Sequence, residues 1–379
     1  MPVPRAFQLI AYLAKWEHHV RHVLSSSYPE SLSIDALREI AGVSDDRTWL
    51  DTPLDYPPLR GTPALLETIS RLYATTRPDD IASFAGGDEA LYATFHALLD
   101  RDAHVIVPTP NYQSLESLPM SLCDVTGIPL DAARDWHLDL DRVRDALRPN
   151  TRLIVVNFPH NPTGAVLPRA TFDALIELCR ARGIWLLSDE VYRMTEYDVR
   201  DRLPPVVDVY ERGISLNVTS KAYALPGLRI GWIACRDTAL LDRVTQMKQY
   251  LSVCNALPSE HLATVALAAE AHLVERVMTL ARARRDRVGA VLERYPSLFQ
   301  WRAPKAGVLA YPKYLGRDGA QRFAERLVQA RGVLVVPSTV YASELGDVSP
   351  DYLRIGFGKA NLDAALESFE AFLEDVRIA

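Results

Sequence analysis

The sequence predicts an α/β fold. It comprises a large domain with a mostly parallel sheet flanked by helices, and a small α+β domain built from both chain ends. Three observations carry this reading. Short apolar runs rich in β-branched and aromatic residues recur through the middle of the chain. Segments of helical period separate several of them. Both ends follow a different rhythm.

The runs are HVIVP at 104–108, RLIVVNF at 152–158, IWLLSDE at 184–190, ISLNV at 214–218 and RIGWIA at 229–234. Apolar residues at successive positions suit strands buried on both faces. LPRATFDALIELCRARG at 167–183 has helical period and ends in Gly183, a candidate C-cap. Residues 1–45 carry a helical opening and then SSSYPESLSIDALREI. From about 280 the charged helix LARARRDRVGAVLERY begins. The expected division is 46–280 for the large domain, with 1–45 and 281–379 forming the small one.

Composition narrows the class of function. The 379 residues suffice for two or three domains and a sizeable core. Lys+Arg is 42 and Asp+Glu is 48, a net charge of −6, which argues against nucleic acid as the main partner. Cys123, Cys179, Cys235 and Cys254 are scattered and form no CxxC pair, so neither a disulfide framework nor a zinc site is expected. MPVPRAFQLIAYLAKWEHH lacks the pattern of a signal peptide, and no apolar run is long enough for a membrane span. The expected location is the cytoplasm.

Four motifs carry chemistry, each at the end of a predicted strand, where open α/β sheets place ligands. SDEVY at 188–192 follows an apolar run. Its acidic pair could cap a helix, or Asp189 could face a heterocyclic nitrogen and keep it protonated. VTSKAYALPGLRIGW at 218–232 sets Lys221 just past a strand and Arg229 eight residues on. A lysine there is either a solvated charge or, desolvated in a cleft, the type that forms Schiff bases. Arg229 suits a phosphate held by two parallel bonds. NFPHNPTG at 157–164 reads as a turn, or as a loop whose Asn161 donates to a phenolate oxygen. FAGGDEALYATF at 84–95 opens a helix with Gly86 and Gly87, a modest anion site.

Together these motifs resemble the class I/II aminotransferases, enzymes of fold type I that depend on pyridoxal 5′-phosphate (PLP). The resemblance runs roughly from Tyr56 to Gly358. It implies that Lys221 forms the Schiff base with the cofactor and shuttles the substrate proton. It implies that Asp189 pairs with the pyridinium nitrogen, so that the ring can absorb an electron pair. Asn161 and Tyr192 match the donors to the ring's 3-oxygen. Tyr112, in PTPNY, matches the aromatic residue on the ring face. Gly86, Gly87, Asp88, Ser220 and Arg229 match the phosphate site. Tyr56, in DYPPLRG, resembles a tyrosine that reaches the phosphate of a neighbouring subunit, which implies a homodimer with a shared active site. Arg354, in DYLRIGFG, matches the arginine that binds the substrate carboxylate. Asn161 and Tyr28 are further candidates for substrate contact, with Glu30 and Tyr341 beside them.

The match departs at several places. Val218 stands where the family has a phosphate-binding serine, leaving Thr219 or Ser220 to compensate. Asp88 brings a carboxylate to the phosphate loop, which is repulsive by about a kcal/mol or more unless it turns away to cap the helix. Ala306 replaces one glycine of a usual pair, Ser338 follows Pro337 where glycine is common, and Ser25-Ser26-Ser27-Tyr28 replaces a glycine-containing entry loop. The resemblance implies ping-pong transfer of an amino group from an α-amino acid to a keto acid. The alternative is a specialised PLP enzyme, a β-eliminating carbon–sulfur lyase or a decarboxylating deaminase acting on an amino-acid conjugate. A dehydrogenase does not fit, because no GxGxxG follows a strand. Nor does a DNA-binding regulator, because residues 1–45 show no basic helix-turn-helix.

Overall fold

The computed structural model describes residues 3–43 and 47–378. Its centre is a seven-stranded sheet in the spatial order Ile81–Phe84, Gly231–Ala234, Gly213–Val218, Trp185–Asp189, Thr151–Asn157, His104–Thr109 and Asp124–Pro129. The pairings among the last five are parallel. Gly231–Ala234 runs antiparallel to both its neighbours. Each of the five sequence runs coincides with a strand of this sheet to within one or two residues. The two strands without a run in the sequence reading are edge strands. IASF is only four residues long, and DVTGIP opens on an exposed Asp124 and mixes polar with apolar positions. Neither produces a continuous apolar signal.

Side chains of successive strand residues point to opposite faces, and the packing shows it. Val105, Val107, Leu153, Val155, Leu187, Ile214 and Leu216 pack on one face with Leu91, Phe95, Leu240 and Val244. These partners come from the helices Gly87–Leu98 and Thr238–Lys248. Ile106, Ile154, Val156 and Leu186 pack on the other with Phe172, Leu175, Ile176 and Cys179 of the helix Arg169–Arg182. That helix stops at Gly183, whose φ of +63° is left-handed; Ile184 N–H then reaches back to the Cys179 carbonyl at 3.0 Å. Each fully buried Leu or Val contributes about 1.5–3 kcal/mol against exposure.

A second apolar cluster joins the chain ends. Leu24 packs with Val288, Leu292, Phe323, Leu327, Phe369 and Leu373. The two-residue strand His22–Val23 pairs in parallel with Val333–Leu334, which ties the ends covalently distant in sequence. The helix Glu270–Glu293 runs unbroken through residue 280; its Leu273 belongs to a cluster on the central sheet and its Ala281 to the chain-end cluster. Leu37, in the helix Ile34–Ile40, packs with Leu65, Ile69 and Trp232 of the central layer. The expected boundary at 45/46 lies outside the described residues.

The consequence for function is positional. Four parallel strands end on one edge of the sheet; one of them ends in Asp189, and the segments leaving the other three carry Tyr112, Asn161 and Lys221. Arg229 precedes the antiparallel strand and therefore arrives at the same edge.

Candidate active site

A cavity of about 320 Å³ lies at that edge, lined by Tyr28, Gly87, Asp88, Tyr112, Asn161, Asp189, Tyr192, Ser220, Lys221, Arg229 and Arg354. Gly86 stands just behind the wall. Of the other residues proposed from sequence, Tyr341 reaches the site through Arg354, whereas Tyr56 and Glu30 lie elsewhere, the Glu30 carboxylate accepting from Ala360 N–H at 2.8 Å.

Asp189 is the last residue of its strand and is 3% exposed. One carboxylate oxygen accepts a bond from Val191 N–H at 3.2 Å. Burial pushes its pKa up to about 7, against the pull of that bond and of Lys221. Asn157 braces the neighbourhood. Its amide donates to the Asp189 carbonyl at 3.1 Å, and its oxygen accepts from Asn161 N–H at 3.0 Å. His160 does the same for the next loop, with Nε2 at 3.0 Å from the Pro110 carbonyl and Nδ1 at 2.8 Å from Thr163 Oγ1. Burial holds its imidazole down to about 4, so it is neutral, and its partners set it as the Nε2–H tautomer.

Lys221 follows the strand Gly213–Val218, and its Nζ donates to Ser27 Oγ at 2.8 Å. Burial, with the Arg354 charge, lowers its pKa to about 8 although Asp189 and Asp88 oppose this. About one tenth of the amine is therefore neutral at pH 7, far more than an ordinary lysine offers as a nucleophile. We expect the rate at which cofactor-free protein captures added PLP to rise about tenfold from pH 7 to 9 and then level off, because the neutral fraction rises from about one tenth to nine tenths. A flat profile over that range would contradict the lowered value.

Arg354 is 1% exposed, and every hydrogen-bond partner of its guanidinium is neutral. Nη1 donates to Tyr341 Oη at 2.6 Å and to Asn161 Oδ1 at 3.4 Å; Nη2 donates to the Ser25 carbonyl at 2.7 Å. Its Nε has no partner. A buried cation without a counter-ion is costly, so the arrangement keeps a place for an anion. Tyr192 donates its hydroxyl to the Ser27 carbonyl at 3.0 Å.

The anion loop explains its glycines. Gly86 has φ of +95°, and a Cβ there would collide with Nη2 of Arg229. A Cβ on Gly231 would stand 2.8 Å from the Gly86 carbonyl carbon. The absence of both side chains brings the guanidinium against the start of the helix Gly87–Leu98, whose first N–H groups have no helical partner. Val218 packs behind Gly87 and offers no donor. Thr219 spends its hydroxyl on the Leu225 and Ile230 carbonyls, each at 3.2 Å, whereas Ser220 lies on the cavity wall.

The Asp88 side chain does not cap its helix, contrary to the sequence-based alternative. It accepts from Tyr112 Oη at 3.0 Å and from Ser114 Oγ at 2.7 Å. Two hydroxyl donors engage the charge. Ala306 needs no glycine, because the left-handed position is the next residue, Gly307, with φ of +75°. Ser338 Oγ accepts from Tyr352 N–H at 3.0 Å. Tyr56 is 83% exposed and borders a separate surface cleft with Leu54, Ser252 and Cys254.

Sequence reasoning missed the cavity's cover. Leu9, Ile10 and Leu13 of the helix Gln8–Trp16, with Glu17 beyond it, form one wall. The apolar pair Leu9 and Leu13, four residues apart, was the available signal for a helix needing a partner. The role of Ser27 had no signal, since its contact with Lys221 spans 194 residues.

The donors fit PLP: a buried carboxylate for a ring nitrogen, a lysine of lowered pKa for an aldehyde, and an arginine beside free helix amides for a phosphate. Among the described residues, no helix is long and apolar enough to cross a membrane. The family model for aminotransferase class I and II matches residues 34–369. The capreomycidine synthase of Streptomyces vinaceus is 34% identical over 274 residues, 72% of this chain and 68% of that protein. The arginine–pyruvate transaminase AruH of Pseudomonas aeruginosa is 31% identical over 314 residues, 79% of this chain and 77% of that protein. Among solved structures, a PLP-dependent aminotransferase from Streptococcus suis superposes with a TM-score of 0.92 at 28% identity, covering 99% of both chains. The PLP-dependent cyclase OrfR gives 0.89 at 26% identity, covering 99% of this chain and 98% of that one. The cofactor is pyridoxal 5′-phosphate, and the chain belongs to the class I and II aminotransferase family of fold type I.

Proposed function

We propose that this protein transfers the amino group of an α-amino acid to a keto acid. The observation that carries the reading is Arg354, buried among neutral partners in the cavity that holds Lys221 and Asp189. It would bind the substrate carboxylate through two parallel bonds. Bound PLP supplies an electron sink for the bond broken at Cα. Asp189 would hold a proton at the ring nitrogen, Asn161 and Tyr192 would donate to the 3-oxygen, and Tyr112 would cover the ring face. For Tyr192 that bond would replace the one to Ser27. The amides of Gly87 and Asp88, with Ser220 and Arg229, would hold the phosphate. Lys221 would bind the aldehyde carbon and, once displaced by substrate, take the Cα proton and return it as general base and acid.

Ping-pong transfer is tested by initial velocities with donor and acceptor varied together. Parallel double-reciprocal lines support it; turnover of the amino acid with no acceptor overturns it. Arg354→Ala should raise KM for carboxylated substrates by about 10²-fold, the loss of a charge-assisted pair of bonds. Cofactor affinity should be unchanged. An unaltered KM would place the carboxylate elsewhere.

A second reading has its own support. A capreomycidine synthase and a cyclase stand among the similar proteins, and Leu9 and Leu13 give the cavity an apolar wall. In this reading the same residues would assist loss of a leaving group beyond Cα, with or without closure of a ring in its place, and no keto-acid acceptor would be consumed.

We also propose a homodimer, since Leu54, Tyr56, Leu59, Tyr250, Leu251 and Val253 expose apolar surface together around the segment that carries Tyr56. Sedimentation should give twice the chain mass. Tyr56→Phe should weaken PLP binding by about tenfold, one hydrogen bond to a charged group; monomeric, fully active protein would contradict both.

A further inference from the structure

We propose that the substrate carries a cation, an amine or guanidinium, at the far end of an apolar side chain, and that Glu17 receives it. This rests on the α-amino-acid reading of the site and narrows it.

Three observations converge. The first is a helix face. Leu9, Leu13 and Glu17 are spaced by four residues, so they lie on one face, and all three line the cavity. Each step of four advances about 6 Å along the axis. A side chain lying along Leu9 and Leu13 therefore meets apolar surface first and a carboxylate beyond it.

The second is that this face is held in place. Gln8 N–H donates to Gln113 Oε1 at 2.8 Å, and Gln113 Nε2 donates to the Ala6 carbonyl at 2.9 Å. Arg5 Nη2 donates to the Ala342 carbonyl at 2.7 Å, and Tyr12 Oη to the Val335 carbonyl at 3.1 Å. The Phe7 ring lies 5.3 Å from that of Tyr112. The helix is thus fastened to the segment that follows the strand His104–Thr109 and to the chain-end layer, and Glu17 follows its last turn.

The third is the balance of charge. The cavity is lined by six acidic or strongly basic side chains: Glu17, Asp88, Asp189, Lys221, Arg229 and Arg354. Asp189, Lys221 and Arg229 would hold the ring nitrogen, the aldehyde and the phosphate of the cofactor. Arg354 is kept for the α-carboxylate. Asp88 is engaged by Tyr112 and Ser114. Glu17 remains, and among the described residues it makes no side-chain hydrogen bond or ion pair. No lining cation is left for a second substrate carboxylate, which would face Glu17 instead. The site accordingly disfavours dicarboxylic amino acids and favours basic ones.

The test compares holoenzyme with its Glu17→Gln and Glu17→Asp variants on L-arginine, L-lysine, L-norleucine and L-glutamate, following the cofactor spectrum in single half-reactions. Norleucine matches lysine in stem but lacks the charge. Wild type should use arginine or lysine about fivefold more efficiently than norleucine, and glutamate least, as expected of a charge pair made by the solvent-exposed Glu17. Glu17→Gln should remove that preference through KM while leaving norleucine within about twofold. Glu17→Asp should restore part of it. If norleucine or glutamate reacts best in wild type, or if Glu17→Gln affects basic and neutral substrates equally, the assignment of Glu17 is overturned while the amino-acid reading stands. If no amino acid of the panel changes the spectrum, both are overturned.

Discussion

Lys221→Ala should lower turnover by at least about 10³-fold, since it removes both the covalent attachment and the proton carrier. It should also abolish the visible absorbance that covalently held cofactor gives. The geometry leaves no substitute: no other lysine lines the cavity. The fold should survive, because the one hydrogen bond lost, from Nζ to Ser27 Oγ, is worth about 1 kcal/mol. A variant that keeps the absorbance band would mean that another amine holds the cofactor.

Asp189→Ala should slow Cα–H cleavage by about 10²–10⁴-fold, measured as exchange of the substrate's α-proton in heavy water. The carboxylate is poorly solvated and has a single backbone donor, so its charge is costly without a cation opposite it. That cost predicts a separate effect on cofactor-free protein. The native pKa near 7 lies above the ordinary carboxylate value, so wild type loses stability as pH rises from about 4 to about 7. Asp189→Asn carries no such charge, and its Tm advantage over wild type should grow across that range. Near-normal proton exchange in Asp189→Ala would reject the electron-sink role.

Much of this was legible in the sequence because the informative features are local. A run such as RLIVVNF shows a buried strand by itself, and LPRATFDALIELCRARG shows its helix and its stop at Gly183. The order of the motifs told which strand ends would meet, since a parallel sheet brings those ends to one edge. What stayed hidden depends on packing between distant segments. The Ser25 carbonyl meets Arg354 across 329 residues, and Tyr192 meets the Ser27 carbonyl across 165. The serine-rich entry segment looked like a loss of glycines, but in the structure it supplies partners to Lys221, Tyr192 and Arg354. Asp88 illustrates the same limit. Its charge next to a phosphate loop was visible, but the two hydroxyls that engage it come from Tyr112 and Ser114, on a different strand's outgoing loop. Tyr56 is exposed and lies outside the cavity, and no signal within one chain's sequence shows that.

In the proposed function the cavity uses PLP to act on the Cα bonds of an amino acid by transamination. The most direct measurement is one half-reaction: purified holoenzyme mixed with amino acids and no keto acid, with cofactor and product identified by mass. Stoichiometric pyridoxamine phosphate and one equivalent of keto acid are the expected result. Repeated turnover with PLP regenerated, releasing ammonia, thiol, CO₂ or a cyclised product, would contradict transamination and establish the second reading.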